Sequence, residues 1–242
     1  MSRLRSYLII DPLVVLATIV MGSLSMAASL FDKSGHAQHK IARMWSRILL
    51  AVCGVRAQVE GIEKLDPHGS YVLVANHLSL IDTPMVLANV PLQFRFFAKY
   101  GLFRIPFLGG HLRRAGHLPV IFDNPRASFK SLSEGARLLR QRSLSVLLFP
   151  EGGRSTDGLH EFHEGAAFLA IRAGVPAVPI GISGTRDILP MHSLHVRPGR
   201  ARLIIGDPIP TAGMKMRDRP ELNRQLHDRV AELMGASPAG VR

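Results

Sequence analysis

The chain is poor in cysteine, tryptophan and acid. Among its 242 residues there is one cysteine, Cys53. No disulfide can therefore form within it, which suits a reducing compartment and excludes a disulfide-stapled scaffold. A single cysteine also cannot build the usual zinc frameworks. His160 with His163, and His192 with His195, have spacings that could ligate a metal, but no cysteine or carboxylate framework completes a site, so no metal is expected. A G-x-S-x-G stretch is missing, which argues against a serine hydrolase built on a nucleophile elbow. There is no internal repeat and no low-complexity linker. Eighteen acidic residues stand against thirty Lys and Arg, a net charge of +12. Such an excess calls for an anionic partner, and nucleic acid and anionic lipid both qualify.

Against this background one long apolar run stands out. Residues 13–31, LVVLATIVMGSLSMAASLF, are nineteen residues without a charge, just enough to cross a bilayer core as a helix. Arg3 and Arg5 precede it, and MAASL also fits the small-residue region of a cleaved signal peptide. The next segment favours an anchor. Ile41, Met44, Trp45, Ile48, Leu49 and Val52 recur at steps of three and four, with Lys40, Arg43 and Arg47 on the other side. A basic amphipathic helix with a tryptophan suits a headgroup boundary, although an ordinary surface helix shows the same periodicity. Residues 1–55 are therefore read as two membrane-anchoring helices and residues 56–242 as one catalytic domain.

From residue 56 onward short apolar runs alternate with helical patterns, the mark of an α/β domain with a mostly parallel or mixed sheet flanked by helices. Strands are expected at 71–75, 93–98, 117–121, 144–149, 177–182 and 201–205. Helices are expected at 83–89, 125–142, 164–173 and 219–234. Thr83 and Pro84 read as the cap and first residue of their helix.

Residues 76–82 read NHLSLID, directly after the apolar run YVLVA. On a continuous helix His77 and Asp82 would point about 140° apart, so pairing them requires a turn. A strand end leading into a helix supplies one. The carboxylate then fixes one ring nitrogen and leaves the other to take a proton from a substrate hydroxyl. A capped turn with a structural histidine is the plainer reading. The second constellation is FPEGGRST, residues 149–156, again after an apolar run. Gly152 and Gly153 let backbone amides approach an anion, Arg154 offers a bidentate fork, and Glu151 can order the loop or bind a hydroxyl. An ordinary turn with a surface arginine would read the same way.

Together these blocks resemble the glycerolipid acyltransferase family that includes the 1-acyl-sn-glycerol-3-phosphate (lysophosphatidate) acyltransferases. The resemblance runs in order through Asn76, His77 and Asp82, then AKYGLFRIPFLGG (98–110), FPEGGRS (149–155) and VPAVPIGISGT (175–185). It implies acyl transfer from an acyl carrier protein or coenzyme A thioester to a glycerolipid hydroxyl, with His77 and Asp82 as the catalytic pair. It further implies an acceptor site drawn from Asn76, Ser79, Glu151, Gly152, Gly153 and Arg154, with Lys99 and Arg104 adding positive charge. No cofactor is implied beyond the thioester, and no nucleic acid. The expected location is the cytoplasmic face of the inner membrane. Two positions depart from the pattern. Gly153 stands where threonine is common, and Ile121-Phe122 stand where an Asp-Arg pair is common, with Arg126 a nearby basic residue. Cys53 is remote from His77 in sequence, so a cysteine acyl-enzyme has little support. Phosphatidate is the expected product, another lyso-lipid such as a lyso-ornithine lipid the alternative acceptor. A non-catalytic basic protein on membrane or nucleic acid is the reading from another class. The apolar run lies outside the four blocks, so its removal is expected to cost membrane residence more than chemistry.

Overall fold

The computed structural model describes residues 3–121, 124–142 and 144–235. Seven strands form one mixed sheet in the order β1-β7-β6-β2-β5-β3-β4. They are β1 (Val55–Glu60), β2 (Val72–Ala75), β3 (Phe94–Lys99), β4 (Leu118–Val120), β5 (Ser145–Leu148), β6 (Ala177–Ser183) and β7 (Gly199–Ile205). Only the β6–β7 pair is antiparallel. The helices are α1 (Arg3–Ala28), α2 (His36–Val52), α3 (Asp82–Asn89), α4 (Leu108–Arg114), α5 (Pro125–Arg142), α6 (Gly165–Ala173), α7 (Thr185–Ile188) and α8 (Arg219–Gly235).

β2 and β5 are buried on both faces, as continuous apolar strands in a helix-covered parallel sheet must be. Alternate side chains feed two cores. Leu73, Leu147, Phe94 and Phe96 pack under α2 and α3. Val72, Val146, Leu148 and Phe97 pack under α5, α6 and α8. All six expected strands are present. β1 was missed because its sequence, VRAQVE, lies half in solvent at the sheet's edge and carries no apolar run. The expected cap is also corrected: α3 begins at Asp82, with Thr83 and Pro84 inside its first turn. Asp82 takes the first position because its carboxylate accepts the amides of the turn before it, where the helix dipole favours a negative charge.

α2 differs from its expected polarity. Arg43 is not on a solvated face. Its guanidinium reaches the carbonyls of Leu87, Val90 and Leu92, filling acceptors left open at and beyond the end of α3. Gln38, His39 and Ser46 point inward, while Met44 and Ile48 face out. The helix thus buries a partly polar face and exposes apolar side chains. α1 does the same on a larger scale. It is long and apolar enough to span a membrane, yet only 17% of its apolar window is buried. Ten of its large hydrophobic side chains are at least 44% exposed. At about 1 kcal/mol for each half-exposed side chain removed from water, a bilayer would gain on the order of 10 kcal/mol from this surface.

Candidate active site

The carboxyl ends of β2, β3 and β5 meet at one crevice, where open parallel sheets generally bind ligands. Each loop there is tied to another by named bonds. Asn76, fully buried, clamps β2 to β6: its Nδ2 donates to Ile182 O at 2.9 Å and its Oδ1 accepts Ile182 N at 2.7 Å. His77 N donates to Glu151 Oε1 at 2.6 Å, and His77 O accepts Ser155 N at 2.9 Å. The other oxygen of Glu151 accepts His160 N at 3.0 Å. Glu151 therefore fastens the loop after β5 to the loop after β2. Burial raises its pKa above the ordinary value, against the pull of those two amides.

His77 Nδ1 donates to Asp82 Oδ2 at 2.9 Å. Leu78 N and Ser79 N donate to the same oxygen at 2.6 and 2.7 Å. A carboxylate only accepts, so Nδ1 carries its proton and Nε2 is left as an acceptor. Asp82 is fully buried, while 18% of the His77 side chain remains exposed. The imidazole is thus reachable from solvent and the carboxylate that holds it is not. The plain turn and the His77–Asp82 pair are here one structure, because the amides that close the turn also hold the carboxylate. The His77 ring stacks on Phe149, centroids 4.2 Å apart and planes 16° apart. This contact was not read from the sequence. Its one signal was an aromatic residue directly before Pro150-Glu151.

An apolar cavity of about 1080 Å³ opens at His77. Phe96 and Phe97, consecutive on β3 and belonging to the two opposite cores, both line it, so its wall draws on both faces of the sheet near the edge strand β4. One limb lies among α1, α2 and α4, with Met21, Gly22, Ala42 and His117 in its wall. The other lies beneath α5 and α6, with Val120, Leu132, Leu148 and Ala166. Lys99, Glu151, Gly152, Gly153 and Arg154 join His77 in lining it. Among the described residues Lys99 and Arg154 have no anionic partner, so two cations without an ion pair share the cavity wall with His77.

The other expected site residues fall elsewhere. Asn76 and Ser79 are buried behind the pair, and the Ser79 hydroxyl donates to Leu189 O at 2.8 Å, so both position the loop rather than face the cavity. Arg104 and Arg126 are exposed and outside the wall. Phe122 lies outside the described residues. A Cβ built on Gly153 would meet nothing within 4 Å, whereas Gly152 sits at φ 76°. Cys53 is buried in the core at the end of α2, and burial raises its thiol to about 11. His160 pairs with Asp157 at 2.7 Å. Among the described residues no three His, Cys, Asp or Glu form a metal-type group. Thr18, Met21, Gly22 and Ser25 of α1 belong to the cavity wall, so the apolar run, although outside the four blocks, helps to enclose the cavity that His77 lines.

The chain belongs to the acyltransferase family: the family model described as Acyltransferase matches residues 56–183, the stretch that holds His77, Asp82, Lys99, Glu151 and Arg154. It is 36% identical over 174 residues to the chloroplastic 1-acyl-sn-glycerol-3-phosphate acyltransferase LPAT1 of Arabidopsis thaliana, covering 71% of this chain and 48% of that one. It is 31% identical over 196 residues to 1-acyl-sn-glycerol-3-phosphate acyltransferase alpha of Bos taurus, covering 81% and 67%. The chain thus spans about half the length of the plant relative. The fold is shared with the crystal structure of the 1-acyl-sn-glycerophosphate (LPA) acyltransferase PlsC from Thermotoga maritima, at a TM-score of 0.79 and 24% identity over 99% of this chain and 100% of that one.

Proposed function

We propose that the protein transfers an acyl group from an acyl carrier protein or coenzyme A thioester to the free hydroxyl of lysophosphatidate, giving phosphatidate. The observation that carries this reading is the oriented His77 in the wall of an apolar cavity that Arg154 and Lys99, without an ion pair among the described residues, also line. The names of the relatives support it.

In this mechanism His77 Nε2 accepts the proton of the acceptor hydroxyl as its oxygen attacks the thioester carbonyl. The buried Asp82 charge stabilises the imidazolium that forms. Collapse of the tetrahedral intermediate breaks the carbon–sulfur bond, and the imidazolium returns the proton to the departing thiolate. The thioester is already activated, so orientation and proton transfer suffice and no cofactor is needed. Acyl chains occupy the apolar limbs, and the phosphate meets Arg154 and Lys99. The surface of α1 and the outward apolar residues of α2 seat the enzyme in the membrane. The Lys and Arg excess beside those helices favours the cytoplasmic face of the inner membrane.

The test is thiol release by purified protein with both donors against a panel of lyso-lipids. Acceptor-dependent release with lysophosphatidate is expected. Release only with a phosphate-free lyso-lipid would move the assignment to that acceptor, and no release with any would overturn it.

A further inference from the structure

α1 is not the only apolar surface left uncovered. Between β3 and α4 the chain reads Tyr100 to Leu108, and five of these nine residues are large, apolar or aromatic, and exposed: Tyr100 47%, Leu102 40%, Ile105 46%, Phe107 48% and Leu108 38%. Such clustering is uncommon on a solvated surface and marks a contact site. The segment lies against the last turns of α1. Phe107 is held at φ 68° and ψ −60°, with Leu108 N donating to Pro106 O at 2.8 Å, a three-residue turn that only strained residues adopt. This turn sets its ring on Gly22, where an added Cβ would come within 2.5 Å of the ring. Behind it Ser25 Oγ and His111 Nδ1 share a hydrogen bond of 2.8 Å. Leu102, Phe107 and Leu108 are at once exposed outside and part of the cavity wall. The stretch that carries the patch has charge of one sign: no acidic residue occurs between Asp82 and Asp123, while Lys99, Arg104, Arg113 and Arg114 are exposed.

We infer that residues 100–108 dip into the hydrocarbon of an anionic bilayer beside α1, forming the apolar lip through which lipid chains pass sideways into the cavity. The occupant is hydrocarbon because the patch continues the exposed face of α1, and the basic rim suits the phosphates just above it. A chain entering there never crosses water. The inference rests on the reading of α1 as the membrane seat, and the test separates the two.

The protein's single tryptophan, Trp45, is replaced by Phe, and one tryptophan is introduced at Val15 on α1, at Ile105, or at Ile62, which follows β1. Fluorescence is read on vesicles of anionic phospholipid brominated along the acyl chains. Quenching at both Val15→Trp and Ile105→Trp, with none at Ile62→Trp, is expected. Quenching at Val15→Trp alone overturns the inference and leaves the seat intact. No quenching at Val15→Trp overturns the seat and the inference together. A second arm uses Ile105→Asp, a residue outside the cavity wall. A charge at membrane depth should lower turnover of vesicle-embedded lyso-lipid roughly tenfold, while a short-chain, water-soluble acceptor is used as before. Equal losses on both acceptors, or none on the embedded one, would overturn the lip.

Discussion

Asp82 Oδ2 is shared by three donors, the His77 ring and the amides of Leu78 and Ser79, while its Oδ1 is buried and meets no hydrogen-bond partner among the described residues. One oxygen thus fixes both the turn and the tautomer. Asp82→Asn can keep the shape of this arrangement but offers no charge to the imidazolium, so kcat should fall about a thousandfold or more with the fold retained. His77→Ala should abolish turnover while the fold is kept, since the ring carries the proton transfer and its loss costs one stacking contact with Phe149. Thiol release and circular dichroism on both variants check this, and wild-type rates in a folded His77→Ala protein would sink the mechanism.

The two glycines of the binding loop should behave differently. Gly153 has ordinary φ and open space at its Cβ, so Gly153→Thr should fold with stability within about 0.5 kcal/mol of the parent. Gly152→Ala forces a side chain into the left-handed region and should cost about 1–2 kcal/mol, with misplacement of Glu151. Thermal melts and thiol release on the pair would show whether the loop responds as its backbone requires.

Much of this was legible beforehand, for a physical reason. His77, Asp82 and the 149–156 loop follow uninterrupted apolar strands, whose ends the sequence marks sharply. β1 was not legible because an edge strand with VRAQVE carries no buried face. The role of Arg43 was missed for a related reason: periodicity assigns a charge to the solvated face, and only the folded chain reveals carbonyls waiting at the end of α3. Phe149 could be placed next to the loop, but its stacking on His77 depends on β2 and β5 being neighbours, a long-range fact that no local pattern holds.

Deleting residues 1–28 should cost more than membrane binding, because Met21, Gly22 and Ser25 wall one limb of the cavity. The truncated protein should lose long-chain thioesters preferentially, with short-chain donors less affected. Turnover measured over a donor series in detergent removes membrane binding from the comparison. A uniform loss across chain lengths would mean that α1 contributes only stability.

Stability should fall with mild acid. His39, held down to about 3, and His117, held well below its ordinary value, are kept neutral first by burial and then by nearby positive charge, including Arg95 for both and Arg43 for His39. Their folded pKa values lie below the unfolded value of 6.5, so the unfolded chain binds protons first. The stability they allow is present above pH 6.5 and is lost as pH falls below it, at about 1 kcal/mol per pH unit for each ring. Unfolding at pH 7.5 and pH 5 should show the drop, and His39→Gln should flatten it. An unchanged slope in that variant would place the proton uptake elsewhere.

The identity of the acceptor turns on Arg154. A phosphate monoester carries close to two negative charges near neutral pH and is best held by a planar bidentate fork. Arg154 lines the same cavity as Lys99 and has no anionic partner among the described residues, so its charge is available to a ligand. Arg154→Lys keeps the charge and loses the fork, and should lower kcat/KM for lysophosphatidate roughly tenfold to a hundredfold, the worth of one charge-assisted bond. Hydrolysis of the thioester by water needs no headgroup contact and should change little. With a lyso-ornithine lipid, which offers no phosphate, the substitution should also be nearly silent. Measuring acceptor-dependent release with both lyso-lipids, at fixed detergent and salt, separates the cases: indifference with lysophosphatidate would remove Arg154 from the phosphate site and favour the phosphate-free acceptor.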